Sequence, residues 1–175
     1  AYIAASYPDE IKRLKTWIKS RLMWMDANLG GRCIPDPTIA KIEVPLDPEC
    51  FNGQRPKVQK TQPFNTTPFN YQGLEKISFI PPDIIRWVLV ELRDVADSSK
   101  IIDRRAALLR SDSVLVDTNF TVGVLFPKAI SNLPYYLVVR YDEFSLLMSK
   151  EFVKLPNNND YNLNRNHKVY LCPQK

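Results

Sequence analysis

Apolar residues recur along residues 7–29 at steps of three and four, which is the spacing of one face of an α-helix. Ser6 stands at the N-cap position, and two glycines at 30 and 31 supply a stop signal. The apolar positions are Ile11, Leu14, Trp17, Ile18, Leu22, Met25 and Leu29. The pattern predicts one amphipathic helix. Because a lone helix cannot bury such a stripe, it either packs on the following domain or ends a domain that lies upstream.

From Thr38 onward the pattern changes to alternation and short apolar runs, which are typical of β-strands. Residues 84–92 are apolar almost throughout, which predicts a strand covered on both faces with Trp87 in the core. Residues 101–110 are ambiguous, and their place between strands favours an extended segment over a helix. Further strands are predicted at 38–44, 74–80, 113–117, 121–126, 135–141 and 144–154. The chain is therefore expected to be mostly β, an antiparallel β-sandwich over 33–175 preceded by one amphipathic α-helix within 1–32.

Prolines and aromatic residues interrupt the strand pattern at residues 51–73, a segment called the strap below. Its rings Phe64, Phe69 and Tyr71 are expected to pin it to the sheet. Exposed rings are also a common means of binding sugars and protein partners, so these three residues and Tyr141 are the predicted binding residues. Tyr135 and Tyr136 are adjacent on a strand, so at most one of the two can point outward.

Composition excludes several classes of protein. The chain has 175 residues with a net charge of +5, which is modest for a protein that grips nucleic acid through phosphates, so no nucleic-acid partner is expected. No apolar run approaches the roughly 20 residues of a membrane span, so no transmembrane segment is predicted. With 14 prolines against 5 glycines, the chain is punctuated by rigid turns and lacks glycine-rich phosphate loops.

Catalytic and metal-binding patterns are weak, so no catalytic residue, metal site or cofactor is predicted. The chain has one histidine, His167, no Cys-x-x-Cys pair and no Gly-x-Ser-x-Gly motif. Carboxylates occur in clusters that a glycosidase or a calcium site would need, but at strand ends such groups more often form turns. They are Asp94, Asp97, Asp103, Asp112, Asp117, Asp142 and Glu143.

Two of the three cysteines, Cys33 and Cys50, bracket a proline-rich stretch. A disulfide between them would contribute about 3 kcal/mol by closing that loop, and it requires an oxidising compartment. Cys172 is left over, either free or paired outside this stretch.

The helix resembles the closing helix of the CotH-type kinase domain of bacterial surface proteins. The matching residues are Leu14-Lys15, Trp17-Ile18, Arg21-Leu22 and Trp24-Met25-Asp26. In that family the nucleotide and metal ligands lie far upstream of this helix, so the resemblance brings no catalytic residue to this chain.

Residues 60–155 resemble a recurrent surface domain of Bacteroidetes. Residues 60–75, which include most of the strap, match its Gln-Pro-Tyr-Asn-x-x-Pro-Trp-x-Tyr-x-Gly-x-Glu motif through Gln62, Pro63, Tyr71, Gly73 and Glu75. Three further stretches match in order: Trp87–Asp94, Arg105–Asp112 and Tyr135–Arg140. The family's Arg-His-Arg-Asn-His run is replaced here by Arg140-Tyr141-Asp142-Glu143-Phe144, so no role of those histidines carries over.

The second resemblance implies an extracellular or outer cell-surface protein, commonly exported by the type IX system, of which this chain is expected to be a piece. It also suggests O-glycosylation of Ser113 within Asp112-Ser113-Val114. The expected function is a non-catalytic structural or adhesive module, with other surface proteins, the rest of its parent chain or a glycan as partner. An accessory domain of a CotH-type kinase is the first alternative, and a carbohydrate-binding module is the second.

Overall fold

The computed structural model describes residues 7–28, 38–46, 57–143, 145–157, 160–163 and 167–171. The chain divides into two units, residues 1–36 and residues 37–175. The first unit holds one helix, α1 (Tyr7–Asn28), as its periodicity predicts. Asp9 and Glu10 occupy the first turn, where carboxylates interact favourably with the free backbone amides. Among the described residues, no helix is long and apolar enough to cross a membrane.

The second unit is made of strands. In chain order these are β1 (Thr38–Ala40), β2 (Ile42–Glu43), β3 (Ile84–Arg93), β4 (Ile101–Arg110), β5 (Leu115–Val116), β6 (Val124–Phe126), β7 (Pro134–Arg140), β8 (Leu146–Ser149), β9 (Val153–Lys154), β10 (Tyr161–Asn162) and β11 (His167–Leu171). The main sheet is antiparallel with the order β11-β8-β7-β3-β4-β5, and β9 pairs with the start of β7. The chain is thus mostly β and sandwich-like, preceded by one helix, which confirms the predicted fold class.

The hairpin of β3 and β4 is the centre of the sheet. The two strands pair from Ile84 opposite Arg110 to Arg93 opposite Ile101. Both are rich in β-branched or other apolar residues, which suit a pleated surface buried on two sides. This confirms the prediction for 84–92 and the extended assignment for 101–110.

Alternate residues of this hairpin belong to two separate apolar clusters. Val88, Val90 and Leu92 face one cluster, which also contains residues of β1, β2, β6, β7 and the segment 153–163. Trp87 and Leu89 face the other cluster, together with Phe64, Tyr71 and Ile77 from the region of the strap. The strap therefore covers one face of the sheet, and the short strands cover the other.

Two short strand pairs join the beginning of the β unit to its later parts. β1 pairs antiparallel with β6, and β2 pairs parallel with β10. Between β1 and β2, the side chain of Asn157 bonds both the N–H and the C=O of Lys41, over 2.8 and 2.7 Å. The N–H groups of Tyr161 and Leu163 donate to the carbonyls of Lys41 and Glu43, both over 2.9 Å.

Several predicted strands need correction. Residues 74–80 are not a strand: they contribute one isolated bridge, between Lys76 and Thr61. Their burial also departs from the hydrophobic pattern, because Glu75 is buried along with Ile77 whereas Leu74 is 92% exposed. The region 144–154 forms two strands, β8 and β9, and 38–44 likewise divides into β1 and β2. The strands β10 and β11 were not predicted.

Candidate functional site

The described part of the strap, residues 57–73, lies on the face of the sheet that carries Trp87. The indole Nε1–H of Trp87 donates to the carbonyl of Gln59 over 2.8 Å. The chain then turns and runs back beside itself. The backbone N–H of Gln62 donates to the backbone carbonyl of Glu75, and that of Ile77 donates to the backbone carbonyl of Lys60. This confirms the expected attachment of the strap to the sheet.

The rings of the strap supply most of this attachment. Phe64 and Tyr71 are buried, with 3% and 8% of their surface exposed, and both pack in the cluster of Trp87. Phe69 is half-buried and meets Phe64 edge to face, with ring centres 5.1 Å apart. The ligand-binding role predicted for Phe64 and Tyr71 therefore needs correction, because buried rings offer no free face on which a sugar or a side chain can stack.

Tyr141 belongs to the other apolar cluster, the one that contains Val88, Val90 and Leu92. Its ring is only 4% exposed, and its hydroxyl donates to the carbonyl of Pro45 over 3.3 Å. The four predicted binding residues thus do not form one surface. Of the neighbouring pair, Tyr135 is buried and Tyr136 is half-buried, which agrees with their expected opposite orientation.

Tyr71, Glu75 and Arg105 form a small polar group that we call the strap lock. The Tyr71 hydroxyl donates to Oε1 of Glu75, and Nη1 of Arg105 lies 3.1 Å from the same oxygen. The Glu75 side chain is 3% exposed, and this guanidinium lies beside it as the counter-charge that a buried carboxylate requires. Burial, and then the hydrogen bond to the Glu75 carboxylate, raise the pKa of Tyr71 well above its ordinary value.

Gly73 and Gln62 complete the lock. A Cβ atom on Gly73 would lie 2.2 Å from Oε2 of Glu75 and 2.3 Å from the Tyr71 ring, so glycine alone leaves room for their contact. The amide of Gln62 donates to the carbonyl of Gly73 over 2.8 Å and accepts from the N–H of Phe64 over 2.6 Å. The polar residues of the strap motif are therefore engaged in holding the strap.

Beyond Leu89 on the same face, a second polar group begins, which we call the Glu91 cluster: Glu91, Arg93, Arg104 and Arg140. The Glu91 side chain is fully buried. Its Oε2 accepts from Nη2 and Nε of Arg93 over 2.6 and 3.1 Å. Its Oε1 lies 3.2 Å from Nε of Arg104 and 3.2 Å from Nε of Arg140. One carboxylate thus contacts three guanidinium groups.

Sequence reasoning did not select the Glu91 cluster, although a signal was present. An acidic residue in a strand predicted to be buried on both faces requires a cationic partner, because an unpaired buried charge is very costly. The alternation of β3 places Glu91 and Arg93 on one face. What the sequence does not show is which strands lie beside β3, and β4 and β7 supply the other two arginines.

Most of the clustered aspartates form turns, as expected, whereas Asp103 lies within β4. Asp94 accepts from the N–H of Ala96, and Asp97 accepts from the N–H of Ser99, both over 2.9 Å. The hydrogen bond from Ala96 lowers the pKa of Asp94. The pKa of Asp97 is lowered chiefly by the Ser99 hydroxyl, which donates over 2.6 Å, and then by the Ser99 N–H. Asp103 is buried and accepts from the backbone N–H of Lys128 over 3.1 Å. Asp142 accepts from the N–H of Ser145 over 2.8 Å.

A small cleft of about 160 Å³ lies between the strap and the sheet, lined by Lys57, Val58, Gln59, Pro63, Arg86, Trp87 and Tyr141. Within it, Nη2 of Arg86 donates to the carbonyl of Tyr141 over 2.6 Å. Burial lowers the pKa of Arg86, opposed by the nearby Asp142 carboxylate. Common small-molecule sites have volumes of roughly 300 to 1,000 Å³, so this cleft is smaller than they are.

The remaining predicted positions are placed as follows. Ser113 lies in a tight turn after β4, half-exposed, with a positive φ of 74°. Cys33, Cys50 and Cys172 lie outside the described residues, so their pairing stays a prediction. Within the described ranges, no group of three or more His, Cys, Asp or Glu side chains is arranged to hold a metal ion.

Comparison of the chain with protein-family models, with curated proteins and with solved structures finds no match in any of the three.

Proposed function

We propose that residues 37–175 form a non-catalytic structural or adhesive module of an exported cell-surface protein, and that the chain is a piece of a longer protein. The observation that carries the proposal is how the motif residues are used. Gln62, Tyr71, Gly73 and Glu75, which carry the resemblance to the Bacteroidetes surface domain, are engaged in fixing the strap to the sheet. Such a motif supports a role in architecture over one in turnover of a substrate.

The partner in this proposal is another surface protein or the remainder of the parent chain. Burial of Phe64, Tyr71 and Tyr141 weighs against the carbohydrate-binding alternative, because a sugar platform needs exposed rings. If the module accompanies a CotH-type kinase domain, as the α1 resemblance suggests, its own role as a structural or adhesive module stays the same.

Surface exposure of the native protein is the direct test. Antibodies against residues 37–175 are applied to intact and to permeabilised cells of the native source. We expect equal labelling of both, and loss of the label when intact cells are treated with protease. Labelling confined to permeabilised cells contradicts the proposal.

Adhesion and catalysis are tested on the purified chain. Beads coated with residues 37–175 are expected to bind more protein from a surface extract of the native cells than beads coated with the heat-unfolded chain. Equal binding would exclude the adhesive role and leave only the structural role.

Incubation of the purified chain with labelled ATP, Mg²⁺ and a protein substrate is expected to transfer no label to that substrate. Transfer above that of the unfolded control overturns the non-catalytic assignment.

A further inference from the structure

The Glu91 cluster carries more positive than negative charge. Arg93, Arg104 and Arg140 contribute three positive charges around the single carboxylate of Glu91. Within the part of the chain that the structure describes, none of these arginines forms an ion pair with another carboxylate. Two positive charges therefore remain uncompensated at one end of the sheet face.

The two guanidinium groups that share Oε1 of Glu91 are neighbours. Nε of Arg104 and Nε of Arg140 both lie 3.2 Å from that oxygen. Like charges held this close repel each other, and one carboxylate offsets only part of the repulsion. An additional anion beside Arg104 and Arg140 would lower the energy of the arrangement.

The arginines also keep hydrogen-bond donors in reserve. Arg93 uses Nε and Nη2 on Glu91 and Nη1 on the carbonyl of Ser98. Arg104 uses Nη1 on the carbonyl of Phe69, at the edge of the strap. Among the described residues, Nη2 of Arg104 and both terminal nitrogens of Arg140 have no hydrogen-bond partner.

Solvent can reach these groups. The Glu91 side chain is 0% exposed, whereas those of Arg104 and Arg140 are 31% and 23% exposed. The strap contacts the same face as far as Leu89 and Ala106. The guanidinium groups follow directly after this covered region and border solvent.

We propose that Arg104 and Arg140 bind an oxyanion group of a ligand, a carboxylate, a sulfate or a phosphate, with Glu91 and Arg93 as positioning residues. The planar fork of a guanidinium matches two oxygens of such a group, and charge-assisted hydrogen bonds are the strongest of their kind. All four residues lie on β3, β4 and β7, and Arg104 also donates to the Phe69 carbonyl of the strap. The anion site does not depend on where the protein is located, so it stands or falls separately from the surface function proposed above.

The test is a titration of the full chain with sodium acetate, sodium sulfate and sodium phosphate at constant ionic strength, balanced with sodium chloride. The Nε–H signals of arginine are followed by two-dimensional NMR. We expect saturable shifts of the Nε–H signals of Arg93, Arg104 and Arg140 with at least one salt, and none for Arg110. The salt that binds most tightly tells a planar carboxylate from a tetrahedral oxyanion. Shifts that are linear, or of equal size for Arg110, indicate an unspecific salt effect and overturn the proposal.

Variants separate the contribution of the planar guanidinium fork to binding from that of the positive charge alone. Arg140→Lys keeps the charge beside Glu91 but loses the fork, and it is expected to weaken binding about tenfold. Arg110→Gln removes a positive charge at the far end of β4 and is the matched control, with unchanged affinity expected. Equal affinity of Arg140→Lys and the unaltered chain contradicts the assignment. If Arg140→Lys does not fold, the signals of the unaltered chain still decide.

Discussion

At Tyr71, the surroundings determine what a single side chain does. The ring is buried, the hydroxyl donates to the Glu75 carboxylate, and the pKa of the hydroxyl is raised as a result. From the sequence, this tyrosine resembled an exposed ligand-binding ring. The difference arises because Arg105 and the apolar residues that bury the ring, such as Trp87, are distant in the sequence, which does not show that they lie beside Tyr71.

The raised pKa of Tyr71 predicts alkaline destabilisation. Above about pH 10 a tyrosine in the unfolded chain loses its proton while folded Tyr71 keeps it, so the unfolded state binds fewer protons and stability falls as pH rises. The slope attributable to Tyr71 is at most about 1.4 kcal/mol per pH unit. In urea unfolding from pH 9 to 11.5, Tyr71→Phe should be less stable by about 1 kcal/mol at pH 9 but lose stability less steeply.

Tyr7→Phe is the control for this measurement, because Tyr7 is 76% exposed and lies in the other unit. The free energy of unfolding of Tyr7→Phe should equal that of the unaltered chain at every pH. Parallel curves for Tyr71→Phe and the unaltered chain would contradict the argument.

Gly73 provides a second prediction. A methyl group there would overlap the Tyr71 ring and the Glu75 carboxylate, so Gly73→Ala should lower the free energy of unfolding by about 1–3 kcal/mol. The neighbouring Leu74→Ala alters a side chain that is 92% exposed and should change stability by less than about 0.5 kcal/mol. Chemical unfolding at neutral pH compares the two. Equal effects would mean that the close approach at Gly73 is not required.

At the scale of elements, the long apolar run of β3 was predictable, whereas the short strands β10 and β11 were not. The run of β3 specifies a buried strand by itself, whereas β4 is interrupted by charged residues and is assigned as extended from its place between strands. Residues 74–80 also alternate between apolar and polar residues, but the side chains that are buried are those of Glu75 and Ile77. The carboxylate can be buried because Arg105 and Tyr71 compensate its charge. The pair β2–β10 has two residues in each strand and exists through contacts with distant parts of the chain. No local pattern specifies such strands.

Glu91 links β3 to β4 and β7, so its removal should loosen the centre of the sheet. Glu91→Gln leaves three guanidinium groups without a compensating charge, and we expect a loss of about 3 kcal/mol in the free energy of unfolding. Glu143→Gln, at an exposed position, is the matched control and should have little effect. The measurement is urea unfolding followed by tryptophan fluorescence. A Glu91→Gln variant as stable as the control would show that the arginines are adequately solvated on their own.

At the scale of the whole β unit, the two faces of the β3–β4 hairpin are covered by different parts of the chain. The strap covers the face of Trp87, and β1, β2, β6 and residues 153–163 contribute to the cluster on the other. Both coverings are fixed by hydrogen bonds to backbone carbonyls, such as those of Gln59 and Lys41. Each covering can therefore be tested by a substitution that removes one hydrogen-bonding group, the indole of Trp87 or the side-chain amide of Asn157.

Asn157→Ala is expected to open the join between β2 and β10. The variant loses both hydrogen bonds to Lys41, so its free energy of unfolding should fall by about 1–3 kcal/mol. Hydrogen exchange should accelerate first at the amides of Tyr161 and Leu163, before those of β3. Asn65→Ala, at an exposed strap position, is the control. Uniform acceleration across β3 and Tyr161 would show that the join does not open separately.

The join between β2 and β10 also affects the order in which the unit can fold. The turn of residues 94–100 connects β3 to β4, so that hairpin closes over a short loop, whereas Lys41 and Asn157 are 116 positions apart. Distant contacts of this kind slow folding, because the entropy of closing the long loop is lost before the contact forms. During synthesis, the apolar face of Val88, Val90 and Leu92 lacks part of its cover until residues 153–163 have emerged. In that interval aggregation competes with folding.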